Sequence, residues 1–167
     1  RRMRLIDVTD EIGCVVEPLW LGRAEGVHRQ LRTALPPDYA GRLAQVFANG
    51  GRLAVAAEGE AVLGVALWRL TENTYEGRRL YVDDLVTDAA QRSRGVGKAL
   101  LNELVSRCRS QGLQQMLAVI GDSGNAASIG VHAACGFELV GVMKSVGRKF
   151  DRWVDVVIMQ RALAVQP

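Results

Sequence analysis

The densest chemical signal in this 167-residue chain is the run Arg92-Ser93-Arg94-Gly95-Val96-Gly97-Lys98. A strand-like segment ends just before it, two glycines remove Cβ atoms, and a helical pattern starts at once. Backbone N–H groups can turn toward an anion at such a junction, where the helix dipole adds roughly half a positive charge. Arg92, Arg94 and Lys98 surround the place with fixed charge. The spacing Gly-x-x-x-x-Gly-Lys-Ser/Thr is absent, and Leu100 stands where a dinucleotide fingerprint has its third glycine. The run is either a phosphate-cradling loop or a plain tight connection that uses glycine for its turn.

A second group of candidates is titratable. Asp83 and Asp84 lie side by side in a strand-like segment. They can orient a cation, pair with Arg78 or Arg79, or take up a proton. With an unperturbed pKa near ~3.9, an aspartate needs burial or a second carboxylate beside it to act as a base at neutral pH. His28 and His132, with no Cys-x-x-Cys, leave too little for a zinc site, so no metal is expected. The odd set Cys14, Cys108 and Cys135 argues against a disulfide framework and for a reducing cytoplasm. Cys135 beside Gly136 reads as a small apolar packing residue.

The bulk composition narrows the function classes. A chain 49% hydrophobic and 23% charged, with a formal net charge of +3, is an ordinary globular domain. Its length suits one domain over residues 1–167. Of 21 basic residues only Lys98, Lys144 and Lys149 are lysines, and the arginines are scattered without interleaved aromatics, so no nucleic-acid partner is expected. No apolar run reaches the roughly 18 residues of a membrane span. Arg1-Arg2-Met3-Arg4 is basic, yet alternation follows it where a signal peptide would have an unbroken apolar stretch.

The elements that must position these residues can be read in order. Residues 3–8 alternate weakly, as a short first strand. Thr9-Asp10 reads as a helix start, with Pro18 interrupting or restarting a helical stretch to about residue 32. Leu43, Val46 and Phe47 set a helix over 39–48, ended by Asn49-Gly50-Gly51. Residues 52–57 and 61–70 form a hairpin about Glu58-Gly59-Glu60, residues 71–77 a polar connection, and 78–87 a further strand. Leu100, Leu101, Leu104 and Val105 give a helix over 96–109 its apolar face. A buried strand at 117–120, a short helix at 125–134, and strands at 137–146 and 153–163 complete the chain. This order predicts an α/β fold, a mixed sheet with helices on both faces.

The run Arg92-x-x-Gly95-x-Gly97, after a strand ending Asp84-Leu85-Val86, resembles the acyl-CoA pyrophosphate loop of the GNAT N-acetyltransferase superfamily. Downstream, Asn125-Ala126-Ala127-Ser128-Ile129, His132, and Cys135-Gly136-Phe137-Glu138-Leu139-Val140-Gly141 fit the same family. The string from Val146-Gly147-Arg148-Lys149-Phe150-Asp151-Arg152-Trp153-Val154-Asp155 to Gln160 resembles the phosphinothricin and methionine sulfoximine acetyltransferase subgroup. The segment Leu80-Tyr81-Val82-Asp83-Asp84-Leu85-Val86-Thr87 is similar to a different branch, so the chain resembles a hybrid of two subgroups. The subgroup has a glutamate, thought to be the general base, where this chain has Val82.

The resemblance implies a GNAT fold with a mostly antiparallel sheet, acetyl-CoA as co-substrate, and direct transfer of acetyl to a primary amine. The implied acceptor is a small amino-acid-like molecule such as phosphinothricin or methionine sulfoximine. A protein N-terminus, a lysine or another amine is the alternative, as is a non-catalytic acyl-CoA-binding module, which Val82 would favour. Arg92, Ser93, Arg94, Gly95, Val96, Gly97 and Lys98 would hold the pyrophosphate, and a backbone N–H near Leu85 or Val86 would meet the oxyanion. Asn125 and Ser128 would face the pantetheine, Asn125 serving also as an N-cap. Because strand side chains alternate, Asp84 is expected to share the face of Val82 and to be the base, with Asp83 as its neighbour. His132 falls where many members carry a tyrosine acid; it is otherwise a structural histidine. Phe150 and Trp153 are expected in the acceptor pocket or the core, and a homodimer is implied.

Overall fold

The computed structural model of the chain describes residues 2–75 and 77–164. Arg4–Asp7 (β1) pairs antiparallel with Gly51–Glu58 (β2). Between them lie Pro18–Leu31 (α1), with proline in its first turn, and Tyr39–Ala48 (α2), where the Asp38 carboxylate accepts from Gly41 N–H at 3.0 Å. Proline lacks only an N–H that a helix start leaves unpaired anyway, and an aspartate cap satisfies one that is left. The helix start read at Thr9-Asp10 is not there. The Asp10 carboxylate takes the N–H groups of Ile12 and Cys14, at 3.1 and 2.8 Å, and Thr9 bridges Val15. A short acidic side chain offers those N–H groups an alternative to the helix.

Ala61–Asn73 (β3) and Gly77–Thr87 (β4) pair antiparallel as a second, long hairpin, where the spacing predicts a strand over 61–70, a polar connection over 71–77 and a further strand over 78–87. Residues 71–73 continue β3, with Glu72 opposite Arg78, and opposite charges across a strand pair favour extension. Val96–Ser110 (α3), Gln115–Gly121 (β5), Ala126–Ala134 (α4), Glu138–Lys149 (β6) and Arg152–Ala162 (β7) follow in the expected order. The seven strands stand as β1-β2-β3-β4-β5-β7-β6, antiparallel except for the β4–β5 pair.

Two apolar layers cover the sheet, as the α/β reading required. Leu21 and Val27 of α1 and Leu43 and Phe47 of α2 pack with Val55, Val65 and Leu67. Leu100, Leu101 and Leu104 of α3 pack on the other face with Trp68, Leu80, Val82 and Met116. β2 from Leu53 to Ala57 and β3 from Val62 to Trp68 are buried without a break because both faces are covered.

Two irregularities shape the middle of the sheet. β4 and β5 pair only from Leu80–Met116 to Val82–Ala118, while β5 continues beside β7 as far as Gly121. Past Val82 the two central strands therefore diverge. On the other side of β4 the register slips: Leu67 pairs with Asp84 and Trp68 with Val82, so Asp83 is the extra residue of a bulge.

Candidate active site

The divergence of β4 and β5 opens a gap bordered by Val82, Asp83, Leu85, Asn125, Ser128 and His132, among others. Leu85 reaches this gap, whereas Val86 packs in the layer of α1 and α2. The helix α4 projects its histidine here because Asn125 caps its start, accepting from Ser128 N–H at 3.2 Å. His132 is 1% exposed and meets Phe137 edge-on at 5.4 Å between ring centres. Its Nδ1–H donates to the Ser128 carbonyl at 2.8 Å, and Nε2 has no partner among the described residues. A carbonyl only accepts, so that bond puts the proton on Nδ1 and leaves a lone pair on Nε2. Burial lowers the imidazole pKa from its ordinary 6.5, against the opposing pull of the Ser128 bond. In this tautomer Nε2 is set to accept a proton, and the acid role expected at this position is open to it only once it has accepted one.

Asp84 does not share the face of Val82. The bulge at Asp83 reverses the alternation, so Val82 lies in the α3 layer while Asp84, 5% exposed, reaches α1. Its Oδ2 accepts from His28 Nε2–H at 2.7 Å. Its Oδ1 accepts from Arg32 Nε–H at 2.8 Å and from Nη2–H of the same guanidinium. His28 Nδ1 in turn meets the Tyr39 hydroxyl at 2.9 Å. Burial raises the Asp84 pKa, and the His28 hydrogen bond and the Arg32 charge overcome it, so the carboxyl sits below its ordinary 3.8. Both oxygens are engaged and the proton affinity is reduced. That suits a carboxylate that positions its neighbours and is opposite to what a base at this place needs.

Asp83 is likewise committed. Arg69 of β3 grips it with two N–H groups, one at 2.9 Å to Oδ1, so its partner is neither Arg78 nor Arg79.

The glycine-rich run forms the turn into α3. Gly95 sits at φ +75°, a left-handed conformation that a Cβ strains even though nothing lies within 4 Å of where one would be. Gly97 is buried, and a Cβ there would stand 3.4 Å from Thr87 Oγ1 and 3.6 Å from Val131, ordinary contact distances that leave room for it. Ser93 also has positive φ, at 66°. Arg92 and Lys98 are exposed and make no ion pair among the described residues. Arg94 is bound to Glu58 at 2.9 Å and to Gln91, so its charge is already partnered.

A second cavity of about 370 Å³ lies on the α1–α2 side. Its apolar wall includes Leu35, Leu43, Val46, Leu67 and Phe150, and its lining carries Arg32, Arg42, Arg148 and Lys149 against Asp84 and Asp151. Phe150 and Asp151, at φ 51° and 57°, make the turn between β6 and β7 that closes one side. Of the two aromatics expected there only Phe150 takes part. Trp153 is 60% exposed and stacks under Arg148, 5.3 Å from its ring centre.

Sequence reasoning did not single out His28, Arg32 or Tyr39. His28 and Arg32 are four residues apart, the spacing that puts two side chains on one helix face, and this was the signal available. Their partner Asp84 is 56 residues from His28. Among the described residues no cluster of His, Cys, Asp and Glu could hold a metal ion, and no helix is long and apolar enough to cross a membrane.

Comparison with known proteins places this geometry among similar chains. The sequence profile of the acetyltransferase (GNAT) family matches residues 21–137. The phosphinothricin N-acetyltransferase of Alcaligenes faecalis is 43% identical over 136 residues, covering 77% of this chain and 67% of that protein. The L-methionine sulfoximine/L-methionine sulfone acetyltransferase of Pseudomonas paraeruginosa is 44% identical over 134 residues, covering 75% and 74%. The crystal structure of a GNAT superfamily phosphinothricin acetyltransferase from Sinorhizobium meliloti in complex with AcCoA superposes with a TM-score of 0.72 at 34% identity, covering 97% of this chain and 89% of that one.

Proposed function

The chain belongs to the acetyltransferase (GNAT) family and is an acetyl-CoA-dependent N-acetyltransferase, and from that premise we propose that it acetylates the amine of a small amino-acid-like molecule such as phosphinothricin or methionine sulfoximine. The observation that carries this reading is the meeting of two cavities. The gap with the unpartnered Nε2 of His132 and the cation-lined cleft are both bordered by Leu31 and Arg32.

The residues present fit acetyl-CoA. Beyond Val82 the β4 backbone has no strand partner on the β5 side, an open edge of the kind an extended, amide-bearing chain pairs with. The Gly95 turn, the start of α3, and the exposed Arg92 and Lys98 suit a pyrophosphate. When bound, acetyl-CoA supplies an acetyl carbon activated by a thiolate leaving group. The acceptor amine, once neutral, attacks that carbon through nitrogen; the C–N bond forms and the C–S bond breaks. The ammonium proton leaves first to water; His132 Nε2 then takes the proton that the attacking nitrogen sheds and passes it to the departing sulfur, so the imidazole ends as it began and one proton per turnover goes to solvent. Neither Asp83 nor Asp84 is needed as a base in this scheme, and Val82 is no defect.

Four cationic side chains against two carboxylates in the cleft favour an anionic acceptor over a lysine side chain or a polyamine. Thiol release from acetyl-CoA across a panel of amines tests the reading. Turnover confined to small anionic amines supports it; turnover only with peptide amines replaces the acceptor class; binding of acetyl-CoA without release on any amine leaves a binding module. We also infer a homodimer. The edge strand β6 exposes Leu139, Val140, Val142 and Met143, an apolar stretch that a second copy would cover, and light scattering reads the mass directly.

A further inference from the structure

We propose that Arg32 selects the acceptor, holding the carboxylate of an α-amino acid so that its α-amine faces His132. This rests on the acetyl-transfer reading above and names the residue that decides which amine enters.

Arg32 immediately follows α1, and its guanidinium is fixed before any ligand arrives. Nε–H and Nη2–H donate to Asp84 Oδ1, and Nη2–H also reaches the Asp83 carbonyl at 3.3 Å. Asp84 is itself held by His28, and His28 by Tyr39. The chain Tyr39–His28–Asp84–Arg32 thus ties α2, α1 and the β4 bulge to one planar cation. Nη1 has no acceptor among the described residues, and 35% of the side chain is exposed. A planar guanidinium already held in place loses little freedom when it takes a carboxylate.

Location separates Arg32 from the other cations. Arg42, Arg148 and Lys149 line the cleft alone, whereas Arg32 borders both the cleft and the gap. In an α-amino acid the carboxylate and the amine share one carbon. A carboxylate on Arg32 therefore leaves the amine at the junction, beside the cavity that His132 lines. The side chain of such a molecule is left to the apolar wall of Leu35, Leu43, Val46 and Phe150. An amine several bonds from its carboxylate would stand away from the junction. Asp84 balances one positive charge, and the remaining cations outnumber Asp151, so the cleft still draws an anion.

Calorimetry on CoA-saturated protein tests this without turnover, using L-methionine sulfoximine and its carboxamide as probes. The parent should bind the acid roughly ten- to a hundredfold more tightly than the amide, the worth of a charge-assisted hydrogen bond. Arg32→Gln should erase that preference, and Arg32→Lys, which keeps the charge but not the fork, should retain part of it. Arg23→Gln, on α1 outside both cavities and paired with Glu60, should leave it intact. Equal binding of acid and amide by the parent, or a preference that survives in a folded Arg32→Gln, overturns the assignment. Thiol release with the same two probes keeps the two readings apart. Turnover without an acid preference sinks the role of Arg32 and leaves acetyl transfer standing, while an acid preference without turnover does the reverse.

Discussion

Val82 and Asp84 are two residues apart on β4 and face opposite layers of the molecule. Val82 packs with Leu80 and Trp68 under α3, while Asp84 Oδ2 accepts from His28 of α1 at 2.7 Å. The bulge at Asp83 separates them, and it separates two cavities as well: the gap that His132 borders lies on one face, the cation-lined cleft on the other. The carboxylate that strand alternation would have made a base becomes the anchor of a cation.

Asp84→Asn should therefore act as a loss of positioning. His28 and Arg32 would keep their places in the packing but lose a charged acceptor. We expect about 1–3 kcal/mol of lost stability, the lower part of the range for a charge pair because Arg32 reaches solvent. KM for the amine should rise more than kcat falls. A pure collapse of kcat at unchanged KM, with the fold intact in a thermal melt, would return the base role to Asp84.

His132→Asn removes the unpartnered acceptor while keeping a polar side chain on α4. A general base contributes roughly 10²–10⁴-fold, so kcat should fall by that order with acetyl-CoA affinity within a few-fold of the parent. Single-turnover acetyl transfer alongside calorimetry measures both. A kcat within threefold of the parent across pH would remove His132 from the proton path.

The imidazole of His132 is pushed down by burial, so it should titrate below 6.5. The chain has two histidines, and His132→Asn identifies the resonance in a proton NMR titration. The sign for stability follows from the same direction. Below pH 6.5 the unfolded chain binds a proton that the folded one refuses, so this histidine's contribution is full above 6.5 and is lost progressively as pH falls from there through the lower folded value. Observation of His132 titrating above 6.5 would contradict the neutral acceptor.

Asp84 adds a second, more acidic limb. Its folded pKa lies below 3.8, so its stabilising contribution is present above that value and disappears as pH falls through the lower one. Urea unfolding between pH 6 and pH 3 should show a steep loss at the acid end for the parent and a shallower one for Asp84→Asn. Parallel curves would mean that the His28–Asp84–Arg32 cluster contributes nothing net.

The loop at α3 offers a contrast among its cations. Arg92→Ala and Lys98→Ala remove exposed charges that make no ion pair among the described residues, and should weaken acetyl-CoA binding several-fold, more at low salt than at high. Arg94→Ala should matter less to the ligand, because its guanidinium is engaged by Glu58 and Gln91. Calorimetric affinities at two ionic strengths decide this, and a larger loss from Arg94→Ala than from the other two would reverse the assignment.

What the amino-acid sequence determined on its own was local. The helix over 39–48 was legible from Leu43, Val46 and Phe47 together with the glycines after it, and the structure has it at Tyr39–Ala48. The turn at Gly95 and the apolar face of α3 were equally plain, because caps, turns and helical periodicity depend on residues a few places apart. The Thr9-Asp10 start failed by the same local physics, since an aspartate can cap a loop as readily as a helix. The face on which Asp84 lies was different. It depends on a register slip between β3 and β4 that strand periodicity alone does not contain. The partners of Asp84 come from α1, so a carboxylate without visible neighbours in the sequence acquires His28 and Arg32 only when the sheet is covered. The gap beside His132 exists because β4 and β5 stop pairing at Val82 while β7 carries β5 onward. Residue types and short spacings announced the chemistry; strand pairing and layer packing decided which side chains meet, because those contacts join segments that the chain itself keeps far apart.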